Sequence, residues 1–182
     1  MSKALLIIDI QNDYFPGGAM ELVGSVAAGE KAGRLLAGYR AAHIPVIHIQ
    51  HLSSRAEATF FLPGTVGAEI HHCVAPAEGE PVFHKHYPNG FRETGLLSFL
   101  REQGITDLTV AGMMTHMCVD TTVRAGFDLG FSCTLAHDAC ATRDLAFGGR
   151  NVPAPEVQTA YIAALGAVFA RPLATEEIMA GL

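Results

Sequence analysis

The chain has 182 residues, 49% of them hydrophobic and only 16% charged, with a formal net charge of −6. That length suits one domain over residues 1–182 with a substantial buried core. The acidic balance argues against a nucleic-acid footprint, and no apolar run reaches the length of a membrane span. Residues 1–9 turn acidic too soon for a secretory signal, so the cytoplasm is the expected compartment. Four cysteines without such a signal, and without a C-x-x-C pair, are not a disulfide framework.

Short apolar runs alternate with helix-like stretches along the whole chain. Residues 4–10 read as a buried strand and 26–42, rich in Ala and Leu, as a helix. Strands follow at 45–50 and 81–85, then a helix over 94–103 closed by Gly104. A strand at 108–112 leads into a helix over 119–129 ended by Gly130, and a strand at 131–136 follows. Residues 155–167 read as a last helix and 168–170 as a short edge strand. This alternation predicts an α/β protein, a three-layer α/β/α Rossmann-like fold with a mainly parallel central sheet. The apolar excess fits a sheet buried on both faces, a large subunit interface, or both. A homodimer or homotetramer is therefore expected, with short helix-bearing segments around residues 139–155 suited to the interface.

Ligands of such sheets bind outside the carboxyl ends of the strands. Asp9, Lys85 and Cys118 fall at or just beyond those ends, from three different strands. Gln50, His51, His137 and Asp138 lie at the same edge as pocket or supporting candidates. A lone cysteine in an apolar segment is usually a small buried hydrophobe. Cys118, however, sits where Gly112-Met113-Met114-Thr115-His116-Met117 carries a strand into a helix, and backbone N–H groups there favour a thiolate. A strand-end aspartate often only caps a turn, and an edge lysine is often exposed. Their coincidence with a thiol supplies a proton acceptor, a cation and a nucleophile in one place.

Four ordered blocks sharpen this: Asp9-Ile10-Gln11-Asn12-Asp13-Tyr14-Phe15, Gly64-Thr65-Val66-Gly67-Ala68-Glu69, Lys85-His86-Tyr87-Pro88-Asn89-Gly90-Phe91 and Gly112 through Val119. With them the chain resembles the isochorismatase-like cysteine hydrolases, which include nicotinamidases and carbamoylsarcosine amidases, over essentially its whole length. The resemblance implies a catalytic triad of Asp9, Lys85 and Cys118, and an oxyanion hole of the Met114 and Cys118 backbone N–H groups. It also implies a cis peptide at Met113–Met114 and an aromatic pocket wall at Tyr14. Phe60 and Phe61 are candidates to cover the pocket, with Gln11, His116 and Phe91 as further wall candidates.

Nine histidines raise the question of a metal. His48 and His51 are three apart on one strand, which places them on opposite faces, and the adjacent pair His71-His72 suits one ion poorly. The nicotinamidases carry an Asp-x-His metal motif near the second strand, and residues 46–53 lack that aspartate. No metal and no cofactor are therefore expected, and nicotinamide is disfavoured as substrate. Family members acting on isochorismate often lack the cysteine, so Cys118 favours cleavage of a C–N bond in a small amide, ureide or cyclic amide.

Two other functions compete. One is isochorismatase-type vinyl ether hydrolysis on the same fold, and the other is a redox-responsive thiol in a partner-binding module. The Asp9/Lys85 pair argues against the latter, because a sensor thiol needs no proton-transfer carboxylate. A dinucleotide site is excluded by an acidic first turn without G-x-G-x-x-G, and an α/β-hydrolase by the lack of a nucleophile elbow.

Overall fold

A computed structural model describes residues 2–182, so of the expected domain only Met1 lies outside the described residues. In chain order the elements are β1 (Ser2–Ile8), α1 (Ser25–Ala41), β2 (Val46–His51), β3 (Val82–Lys85), α2 (Leu96–Glu102) and β4 (Ile105–Met113). Then come α3 (Asp120–Asp128), β5 (Ser132–Ala141), β6 (Leu145–Phe147), β7 (Arg150–Val152), α4 (Ala154–Val168), β8 (Arg171–Leu173) and α5 (Thr175–Met179). Six strands form a parallel sheet in the order β3-β2-β1-β4-β5-β8, while β6 and β7 pair as a separate antiparallel hairpin. The expected three-layer α/β/α architecture is thus present.

The apolar run in β1 is continuous because helices cover both faces of the sheet. Leu5 and Ile7 pack with Leu35 and Leu36 of α1 and Ile178 of α5. Ala4, Leu6 and Ile8 pack with Leu96 and Leu100 of α2, Val123 of α3 and Leu165 of α4. Each fully buried leucine contributes of order 2 kcal/mol through removal from water.

The chain fills the sheet outward from β1 through β2 to β3, then crosses back to place β4 on the other side of β1. Strand order reverses there, which opens a crevice beyond the carboxyl ends of β1 and β4. Gly112, near the end of β4, has φ 155°, and a Cβ on it would strike the Ile8 carbonyl oxygen. Glycine lets the two strands that flank the crevice run close together.

Three expectations need correction. The fifth strand does not stop at residue 136 but runs on to Ala141, with an irregular register between Val110↔Leu135 and Gly112↔Cys140. His137 and Asp138 therefore sit inside β5 and not at its end. The edge strand is Arg171–Leu173, because the Ala-rich α4 continues to Val168, and Phe169 and Ala170 then donate to the Leu165 carbonyl to cap it. The expected helix-bearing segments around residues 139–155 are instead the end of β5 and the β6–β7 hairpin, with helix only from Ala154, where α4 begins. Among the described residues no helix is long and apolar enough to cross a membrane.

Candidate active site

The crevice is built by three strand ends and one turn. Asp9 follows β1 with φ 51°, a left-handed conformation that aspartate tolerates better than most residues, and its N–H donates to the Ile49 carbonyl (3.0 Å). Lys85 ends β3 and is paired in register with His51 at the end of β2. Cys118 lies in a π-helical turn, Thr115–Val119, between β4 and α3. The peptide bond before that turn, Met113–Met114, is cis.

These ends converge on one ammonium. Lys85 Nζ lies 2.6 Å from Asp9 Oδ2 and donates to His51 Nδ1 (2.9 Å) and Cys118 Sγ (3.2 Å). Asp9 and Lys85 are fully buried, and Cys118 is 5% exposed. Burial opposes the Lys85 charge, but Asp9 and Cys118 outweigh it and hold the ammonium above its ordinary pKa. Burial, and next the negative Asp9, push the Cys118 thiol far up, against the pull of Lys85. This corrects the expected resting thiolate: a helix start does not offset full desolvation beside a carboxylate. Burial and the adjacent Lys85 charge lower His51 to about 4.

Asp9, His51 and Cys118 also present donor atoms within 4.8 Å of one another, a spacing that suits a metal ion. Lys85 Nζ contacts all three residues, so the ammonium takes the place that a cation held by them would need. His48 is committed elsewhere: its Nε2 lies 2.9 Å from Glu80 Oε2, in a cluster with Arg40 beneath the sheet edge.

Above Cys118 opens a cavity of about 350 Å³, within the range of small-molecule sites. Tyr14, Phe60, Phe61, Met114 and Met117 form its apolar wall, and His51, His86, Arg55 and Arg143 bring polar groups to it. Tyr14 meets Phe61 edge-on at 4.6 Å, and burial raises its phenol well above the ordinary pKa. Phe61 is held by two backbone bonds: its N–H donates to Asp13 Oδ2 (2.6 Å) and its carbonyl accepts from Ser53 N–H (2.8 Å). A larger cavity of about 750 Å³, at the amino ends of the strands between Lys3, Asp107 and Arg171, has no cysteine in its wall.

The structure thus brings Asp9, Lys85 and Cys118 together and lines the cavity with Met114, Tyr14, Phe60 and Phe61. Gln11, His116 and Phe91 do not line it. The Gln11 amide is consumed by backbone, donating to His51 and Ala68 carbonyls (2.9 and 2.7 Å) and accepting from His51 N–H (2.8 Å). His116 turns away from Cys118, with Nδ1 2.5 Å from Thr142 Oγ1. Phe91 stacks on Phe131 in the core behind α3. Gln50 donates to the Ala68 carbonyl (2.8 Å), and Asp138 caps α5 by accepting from Thr175 N–H and Oγ1–H (both 2.8 Å). His137 is likewise absent from the cavity wall.

Arg143, Met20 and Met117 are wall residues that sequence reasoning missed. Arg143 lies just past the end of β5, so the strand-end rule identifies it once the length of β5 is known.

The sequence and the fold resemble those of known proteins. The family model for the isochorismatase domain matches residues 3–177. The chain is 46% identical over 179 residues to the isochorismatase family protein YddQ of Bacillus subtilis strain 168, covering 98% of this chain and 99% of that protein. It is 36% identical over 143 residues to a streptothricin hydrolase of Streptomyces noursei, covering 79% of this chain and 51% of that one. A crystal structure of an isochorismatase-hydrolase protein from Oleispira antarctica superposes with a TM-score of 0.95 at 48% identity, covering 99% of this chain and 97% of that one. Fold and sequence agree: the chain belongs to the isochorismatase family, whose members are hydrolases.

Proposed function

We propose that the protein is a cysteine-dependent amidohydrolase that cleaves the C–N bond of a small amide, ureide or cyclic amide through an acyl-thioester. The carrying observation is the buried contact of Asp9, Lys85 and Cys118 at the floor of a cavity sized for a small molecule. Relatives named streptothricin hydrolase, ureidoacrylate amidohydrolase and nicotinamidase/pyrazinamidase lend it support.

The raised thiol pKa sets the order of events. Losing the proton to solvent would leave two buried anions beside one cation. Passing it to Asp9 keeps the net charge of the buried trio unchanged, because carboxylate and thiol become carboxylic acid and thiolate. Asp9 is therefore the general base, and Lys85 stabilises whichever partner is anionic. The Sγ lone pair attacks the substrate carbonyl carbon, and the developing oxyanion is met by the Met114 and Cys118 backbone N–H groups. Collapse breaks the C–N bond, and the proton on Asp9 goes to the departing nitrogen. Water then gives a proton to Asp9 and its oxygen to the acyl carbon, which releases the acid and returns the proton to Cys118. Vinyl ether cleavage would leave this buried thiol idle.

Hydrolysis of a panel of small amides, ureides and lactams tests the reading, followed as ammonia release for the amides and ureides and as the ring-opened amino acid for the lactams, with Cys118→Ala in parallel. Turnover of a panel member that disappears in Cys118→Ala is the expected result. Turnover that survives the substitution, or none across the panel, contradicts it.

A further inference from the structure

The Lys85 ammonium has three N–H donors and no acceptor. Asp9 Oδ2, Cys118 Sγ and His51 Nδ1 each lie within reach of it, at 2.6, 3.2 and 2.9 Å. Nδ1 of His51 must then present a lone pair, and a neutral imidazole with a bare Nδ1 carries its proton on Nε2. Strand pairing fixes the ring, because His51 and Lys85 are in-register partners on β2 and β3. The backbone is fixed as well: the Gln11 side-chain amide bonds both the N–H and the carbonyl of His51. The ring lies 5.9 Å from that of Phe61 and lines the cavity over Cys118. No protein group among the described residues accepts from its Nε2.

We propose that His51 is a substrate-binding residue whose Nε2–H donates to an oxygen or ring-nitrogen acceptor of the bound molecule, its tautomer being set by Lys85. The amidohydrolase reading supplies the setting for this role. Substrates carrying an acceptor beside the reacting carbonyl are then preferred over purely aliphatic ones. A neutral His51 persists above a pH of about 4, where burial and the Lys85 charge place its titration, so the donor stays in place through the neutral range.

Cys118 alkylation tests the proposal without any known substrate. Iodoacetamide has a carbonyl oxygen that can accept from Nε2–H, whereas allyl bromide has no such acceptor. In His51→Asn the side-chain oxygen can still accept from Lys85, but nothing reaches the Nε2 position. Rates are read at the Cys118 peptide by mass spectrometry, in wild type and His51→Asn. The substitution is expected to slow iodoacetamide about tenfold, the worth of one buried hydrogen bond, while allyl bromide changes less than twofold. Equal slowing of both reagents, or of neither, overturns the role. Long-range ¹H–¹⁵N spectra of the wild-type ring at pH 7 give a second reading: protonated Nε2 with bare Nδ1 is expected, and the reverse tautomer or an imidazolium overturns the proposal. If these results hold while no amide is turned over, the amidohydrolase reading alone falls.

Discussion

At Lys85 three donors meet three acceptors, and that count governs the residues around it. Among the described residues the ammonium is the only buried cation facing Asp9 and Cys118, so removing it leaves a buried carboxylate without its counter-charge. Lys85→Met, which keeps most of the side-chain volume, is expected to lower kcat/KM about a thousandfold and the unfolding free energy by roughly 3 kcal/mol. A steady-state assay and a urea melt check this; full activity in the variant would show that the ammonium is not part of the chemistry. The three chemistry-bearing residues were legible in the sequence because strand ends and helix starts are punctuated by glycines and apolar runs. Gln11 and His116 were misread for one shared reason. Each lies two residues from a site residue, but the backbone between them turns, and their polar atoms meet Ala68, His51 and Thr142 instead of the cavity.

At the scale of elements, α1, β2 and the segment entering β3 are tied by one cluster. Glu80 accepts from Arg40 Nε (2.7 Å) and lies 2.9 Å from His48 Nε2. The Arg40 guanidinium, ahead of smaller contributions from the Ala77 N–H and His48, lowers Glu80 to about 2 from the ordinary 4.5. A carboxylate held low stabilises the fold fully above its unfolded pKa and loses that contribution as pH falls through its folded value. Wild-type stability should therefore carry a Glu80-dependent decline between about pH 4.5 and 2 that is missing in Glu80→Gln. Urea melts across that range check it, and parallel curves for the two proteins would contradict it. The length of β5 was not legible, because its irregular register adds residues that neither alternation nor a turn residue marks. The β6–β7 hairpin did leave a signal. Gly148 and Gly149, at φ 57° and 77°, sit between paired Phe147 and Arg150, as a two-residue hairpin requires.

For the molecule as a whole, strand–helix alternation was enough to predict helices on both faces of a parallel sheet and a site at its carboxyl edge, whereas the strand order, and with it the reversal beside β1, came only with the structure. What single-chain patterning leaves open is the outer surface. Helix α4 has Glu156 as its one charged residue and exposes Ala160, Ala163, Ala164, Ala167 and Val168, while Phe147 at the hairpin is 91% exposed. We propose that this alanine-rich helix face, with Glu156 at its start, pairs with a second copy of the chain, giving a dimer or a tetramer. Light scattering should give a multiple of the chain mass that falls to the monomer in Ala164→Arg, and a wild-type monomer would contradict the assignment.

The central claim is that Cys118 becomes acylated during turnover. Acid quenching of a reacting mixture, followed by mass measurement of the Cys118 peptide, tests it most directly. A Cys118 adduct is expected that equals the substrate less its departing ammonia or amine, or the whole substrate for a cyclic amide, and that is absent from Asp9→Asn. An unmodified Cys118 throughout steady turnover would contradict it.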